Sequence, residues 1–309
     1  MENSKLIMTH NGLFHGDELN AVAMLKLVYP NSVIVRTRDL GVTENADIIV
    51  DIGNIYDPSA NKFDHHQKGF SCAHANGTLR SSAGLIWMHY GFNIVRKVLE
   101  HYEKFNLTDS EVNEVVENID NDFIEQIDYR DNNGRNNSTE FTYIDAIMTL
   151  NGLNPNDSKE QTECFNKAVS IAMEVISGLI VRRTDYLLKS KLLDKELESV
   201  KDSDELVILT QPIPWADRIK NYPNVKLIGF QIKPGEWRLQ SPAVGDDKRV
   251  LRCPAPENAR GTSGGNFDGI ESIFVHASGF IGGIRANNVN DVHKAARAWI
   301  AGNFTPAQK

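Results

Sequence analysis

Four consecutive segments, KLIMTH (residues 5–10), DELNAVAMLKLV (17–28), SVIVRTR (32–38) and ADIIVDIG (46–53), read as strand, helix, strand and strand. The apolar runs are short and rich in β-branched residues, turn residues bound them, and DELNAVAMLKLV has the spacing of an amphipathic helix. A helix set between such strands predicts a largely parallel sheet covered by helices. In a sheet of that kind, groups that do chemistry lie just past the carboxyl ends of the strands.

Those ends carry a consistent chemistry. THNGLFHGDE supplies His10, His15 and Asp17, VDIG supplies Asp51, and FDHHQ (63–67) supplies Asp64, His65 and His66. Imidazoles and carboxylates cost desolvation when buried without a partner, and a metal ion is the partner that suits both. The set exceeds the needs of one ion. Two ions are the expected count, with Asp51 as a bridge; a pair about 3.5–4 Å apart clamps a phosphoryl group and generates hydroxide near neutral pH. Nitrogen and oxygen ligands without thiolate favour Mn²⁺, with Zn²⁺, Fe²⁺ and Mg²⁺ as alternatives. His74, His89, His101 and His293 stand alone and are expected to be hydrogen-bonded structural residues.

Further along, the pattern is helical from SSAGLIWMHYG to about Leu150, broken by RDNNGRNNS (130–138), a loop by composition. Residues 159–200 read as one long helical connector. Beyond it ELVILT, VKLIGFQIK, EWRLQSP and SIFVHA read as strands, with turns at KPGEW and GDD and a last helix near 290–301. The expected class is α/β in three parts: a metal-binding catalytic domain (1–158), the connector (159–200) and a smaller substrate-binding α/β domain (201–309).

In FVHASGFIGG a strand is read as ending in a Gly-rich turn, where backbone N–H groups of Gly282 and Gly283 approach an anion, with His276 at the rim. Arg260, together with Arg238, Arg249 and Arg252, is a candidate for a phosphate-binding face. A net charge of −8 over 309 residues argues against non-specific coating of nucleic acid, though not against a local basic groove. No run approaches 18 consecutive apolar residues, and MENSK has no leader-like pattern. With three widely spaced cysteines, the expectation is a cytoplasmic protein without membrane contact.

Taken in order, THNGLFHGDELNA, VRTRD, VDIGNIYDP, FDHHQKGF, SSAGLIWMHYG, IDYRDNNG and SIFVHASGFIGG resemble the Myg-type (melanocyte proliferating gene one) family of metal-dependent hydrolases, a branch of the DHH phosphoesterase superfamily. The resemblance runs nearly end to end. It implies a DHH-like catalytic domain in which His10, His15 and Asp51 hold one ion and Asp17, Asp51 and His65 the other. A further aspartate, Asp131 or Asp128, completes the second site, Asp131 being preferred although Tyr129, Arg130 and the Asn run depart from the family pattern. Asp64 orients an imidazole, and His66 faces substrate phosphate or moves a proton. The activity it implies is 3′→5′ exonucleolysis of single-stranded RNA, with the second domain holding the strand end. Hydrolysis of a small phosphoester or phosphoanhydride, or of an amide, are the alternatives.

Overall fold

The computed structural model describes residues 4–134, 140–245 and 247–307. The chain forms two compact units, one ending at Asp185 and the other beginning at Tyr186.

In the first unit, strands β1 (Leu6–Thr9), β2 (Val33–Arg36), β3 (Ile48–Val50), β4 (Tyr56–Asp57) and β5 (Lys62–Phe63) form one sheet in the order β2-β1-β3-β5-β4. All neighbours are parallel except β4, which runs antiparallel to β5 at the edge. The carboxyl ends of β1, β3 and β5 therefore open side by side, where His10, Asp51 and Asp64–His66 follow. Helix α1 (Gly16–Val28) packs on β3 and against α2 (Ser82–Leu99), which in turn packs on β5. The amphipathic expectation for α1 does not hold, because every residue from Gly16 to Leu25 is buried. Enclosure on all sides takes the two acids of its first turn, Asp17 and Glu18, into the interior with the apolar residues.

Helix α3 (Asp109–Ile119), a π-helical segment (Asp120–Ile124) and α4 (Glu125–Asn133) follow one another without a break. Composition placed Arg130–Asn133 in a loop; the structure keeps them helical. Asn132 and Asn133 return their side-chain amides to the carbonyls of Asp128 and Tyr129 at 2.9 and 3.0 Å, which suits the helix interior, and Gly134 (φ 70°) ends it. Residues 135–138 of that segment lie outside the described residues. After α5 (Tyr143–Met148), α6 runs unbroken from Ser158 to Leu197. By length and composition α6 would suffice to cross a membrane, unlike the expectation from uninterrupted apolar runs. Phe165, Ala168, Val169, Ala172, Ile176 and Ile180 form a buried stripe along it, while Ile171 and Val175 are exposed.

The second unit is built on a six-stranded sheet, β11-β12-β13-β8-β7-β6, antiparallel except between β6 (Leu206–Leu209) and β7 (Leu227–Lys233). β8 (Glu236–Gln240) pairs with β13 (Ile281–Arg285), β13 with β12 (Ile270–Val275), and β12 with β11 (Asn266–Phe267). A short hairpin, β9 (Ala243–Val244) and β10 (Asp247–Leu251), stands apart. Helix α7 (Val289–Ile300) buries Val292, Ala295, Ala296 and Trp299 with Trp237, Leu239, Phe267 and Ile284. Each large side chain fully buried there contributes roughly 1.5–3 kcal/mol. The chain is thus mixed α/β, with a largely parallel first sheet.

Candidate metal centre

β1 delivers His10 to the opening of the first sheet, and its ring is 1% exposed. Its Nε2 lies 3.0 Å from Glu18 Oε1 and 3.4 Å from Asp51 Oδ2. β3 ends at Val50, and Asp51 takes a left-handed backbone, φ 57°. That conformation is sparsely populated for a residue with a side chain and is best tolerated by Asp and Asn; it costs about 1–3 kcal/mol where it persists. The turn sends the Asp51 carboxylate two ways: Oδ2 toward His10, and Oδ1 toward His65 Nε2 at 3.5 Å and His66 Nδ1 at 3.5 Å. Ser82, at the start of α2, donates its hydroxyl to Asp51 Oδ1 at 3.0 Å.

β5 supplies the other wall. His65 Nε2 lies 3.3 Å from Asp131, 3.5 Å from Asp51 and 3.7 Å from Asp17. Asp64 serves His66 rather than His65: its Oδ1 lies 2.8 Å from His66 Nδ1 and accepts the His66 N–H, while Oδ2 accepts the Asn54 N–H at 2.6 Å. His66 is half exposed, and its hydrogen bond to Asp64 raises its pKa above the ordinary imidazole value.

From α1, the exposed His15 occupies the cap position, where its N–H donates to both Glu18 oxygens at 3.0 and 2.9 Å. Three groups of ligand atoms result, each within 4.8 Å: His10, His15, Glu18 and Asp51; Asp51, His65 and His66; and His15, Asp17 and Asp131. The six residues read from the sequence as ligands, His10, His15, Asp17, Asp51, His65 and Asp131, thus meet in one place. Asp128 does not join them. It is fully buried beneath the start of α2, where it accepts hydrogen bonds from the Ser81 N–H and hydroxyl and the Gly84 N–H, and lies 2.7 Å from His74.

The donor set fits metal ions on two grounds. His10 Nε2, His65 Nε2 and both oxygens of Asp17 are buried and make no hydrogen bond among the described residues. The acids are also crowded beyond what the protein itself neutralises: burial, then the charges of Asp51, Asp131 and Glu18, hold the Asp17 carboxyl well above its usual range. Burial opposes ionisation of Asp51 as well, but the His10 and His65 imidazoles outweigh it and keep that carboxyl below the usual range. Such an arrangement is unfavourable until cations enter it.

Sequence reasoning missed Glu18 and Ser82. Glu18 had a signal, since an acid three residues after a cap position closes a capping box. Ser82 had none apart from its place in a quoted motif.

The other predicted site residues lie in the second unit. His276 Nδ1 accepts from the Ser278 N–H at 3.2 Å and lies 2.9 Å from its hydroxyl, while Arg260 donates to the Ala255 carbonyl at 2.8 Å and packs beside Gly279, the positive-φ residue of the same turn. Gly282 and Gly283 correct the Gly-rich-turn reading, for both are inside β13, paired with β12 on one side and β8 on the other. A Cβ at either would fall 2.7 Å from an aromatic carbon, of Trp299 or Phe274 respectively, so these glycines make room for rings. Arg252 is likewise no phosphate ligand, since it donates to the carbonyls of Ile219, Tyr222, Val225 and Ala243.

A family model named for the MYG1 exonuclease, and described as an uncharacterised protein family (UPF0160), matches residues 6–297. The chain belongs to this family. It is 32% identical to the MYG1 protein of Dictyostelium discoideum, over 90% of this chain and 91% of that one. It is 31% identical to the MYG1 exonucleases of Mus musculus and Homo sapiens, over 90% of this chain and 80% and 82% of theirs.

Proposed function

We propose that the protein is a two-metal phosphodiesterase that removes nucleotides from the 3′ end of single-stranded RNA with Mn²⁺. The observation that carries this reading is the meeting of buried, unpartnered imidazole and carboxylate atoms at the ends of β1, β3 and β5. Names of the family relatives as exonucleases support the choice of a phosphodiester.

His10, His15, Glu18 and Asp51 would hold one ion, and Asp51, Asp17, His65 and Asp131 the other, with Asp51 common to both sets. When bound, such ions supply activated water and neutralise charge on a phosphoryl group. The protein's own part is positional and electrostatic. Asp64 fixes the His66 ring and favours its cationic form, which places a proton donor at the exposed edge of the centre for the phosphoryl oxygens. Ser82 holds Asp51 Oδ1 in place. His276, on the turn 276–279 of the second unit, and Arg260, whose side chain lies beside Gly279 of that turn, are the groups we assign to contacting RNA phosphate.

The test is hydrolysis of end-labelled single-stranded RNA, alongside a small phosphodiester, by metal-stripped protein resupplied with Mn²⁺. Stepwise shortening from the 3′ end that disappears in His65→Ala is expected. Turnover of the small ester alone would move the substrate to small phosphoesters, and metal-independent activity would end the proposal.

A further inference from the structure

Beside the metal centre the first unit has two adjoining cavities. The smaller, about 220 Å³, is lined by His15, Asp17 and Asp131 together with Ile127, Arg130 and Ile144. The larger, about 350 Å³, shares Ile127, Arg130 and Ile144 and adds three aromatic rings, Phe123, Tyr129 and Tyr143. Its volume falls in the range of small-molecule sites, about 300–1,000 Å³, whereas the smaller one alone suits a single small group.

Several features point to a ring-shaped ligand. Phe123 lies in the π-helical segment, whose wider turn shifts every following side chain around the helix; such segments occur often at functional sites. The Phe123 and Tyr143 rings stand 5.2 Å apart, and the Tyr143 hydroxyl is fixed by Asn20 at 2.9 Å. The polar groups around the rings are already engaged: Gln126 Nε2 donates to the Asp122 carbonyl, and the Thr142 hydroxyl donates to Asp145. At the neck between the cavities, Arg130 donates through Nη2 to Asp145 at 3.2 Å, and its Nε is buried without a hydrogen-bond partner among the described residues.

From this arrangement we infer that the larger cavity binds the base of a nucleotide whose phosphate lies in the smaller cavity at the metal residues, with Arg130 at the junction. The location of the phosphate rests on the phosphodiesterase reading above. Because the rings offer π faces and the nearby polar edges are occupied, the pocket holds a base by stacking and discriminates little among the four bases.

Equilibrium titrations of the full chain with adenosine 5′-monophosphate, cytidine 5′-monophosphate and ribose 5-phosphate, with Mn²⁺ present, test this. Both nucleotides should bind on the order of tenfold more tightly than ribose 5-phosphate, the scale of one stacked base. Tyr129→Ala should remove that preference while leaving ribose 5-phosphate binding and the circular dichroism spectrum unchanged, and Tyr129→Phe should restore it. Equal binding of nucleotide and ribose 5-phosphate, or an undiminished preference in Tyr129→Ala, would overturn the inference. The two proposals fail separately. A protein that prefers nucleotides through Tyr129 but cuts no RNA keeps the pocket and loses the nuclease, and one that cuts RNA without the preference does the reverse.

Discussion

At Asp51 the backbone turns left-handed and the side chain divides its oxygens between His10 and His65, so one residue links both halves of the centre. Ser82 fixes the oxygen facing His65. Removing a hydrogen-bond partner behind a metal ligand costs about 10- to 100-fold in affinity, and Ser82→Ala is expected to lose that much Mn²⁺ affinity by calorimetry, without loss of helix content. At this scale the sequence was informative wherever residue type alone carries the chemistry. His10, Asp51 and FDHH announce themselves because imidazole and carboxylate at successive strand ends have few other uses. Glu18 and Ser82 did not, since an acid or hydroxyl at a helix start is ordinarily a capping group and only the packing turns it inward.

Behind the centre, the start of α2 is held by Asp128, which accepts from Ser81 and Gly84 and meets His74; Arg80 forms two hydrogen bonds with Asp120 in the π-helical segment. Gly84 is indispensable here: a Cβ on it would fall 2.0 Å from Asp128 Oδ2. Gly84→Ala must push the carboxylate off its donors, combining overpacking with buried groups left unsatisfied. It is expected to cost about 3 kcal/mol in urea unfolding, and, by shifting α2 and Ser82, to weaken Mn²⁺ binding as well. Elements were read well where periodicity was long or alternation clear, as in α6, β7 and α7. The reading faltered where composition competed with context. An Asn run looked like a loop although its amides can bond back into α4, and a strand rich in glycine, β13, looked like a turn because its glycines serve neighbouring rings.

Over the whole molecule, the crowded centre ties folding to pH and metal. Burial disfavours the charged form of His10, but the carboxylates of Asp51 and Glu18 beside its Nε2 outweigh that and raise its pKa from 6.5 to about 10 in the metal-free protein; Asp17 is also raised. In both cases the folded chain keeps a proton that the unfolded chain releases. Their stabilising contribution is full below the unfolded pKa values, roughly 3.9 and 6.5, and is lost as pH rises toward the folded ones. Thermal unfolding in chelator should therefore show a falling Tm between about pH 7 and pH 9.5, and Mn²⁺, which takes the protons' place, should flatten or reverse that fall. The division into two units is a different lesson at the same scale. Composition marked the change of grammar near residue 200, whereas the unit boundary at Asp185 and Tyr186 lies inside the unbroken α6, where no turn residue signals it.

The most direct test of the two-ion centre is an anomalous difference map, recorded at the manganese edge, from crystals grown with Mn²⁺. Two peaks about 3.5–4 Å apart, one beside His10 and the other beside His65 with Asp51 between them, are the predicted result. A map with no peak there, or with manganese bound only away from Asp51, would contradict the account.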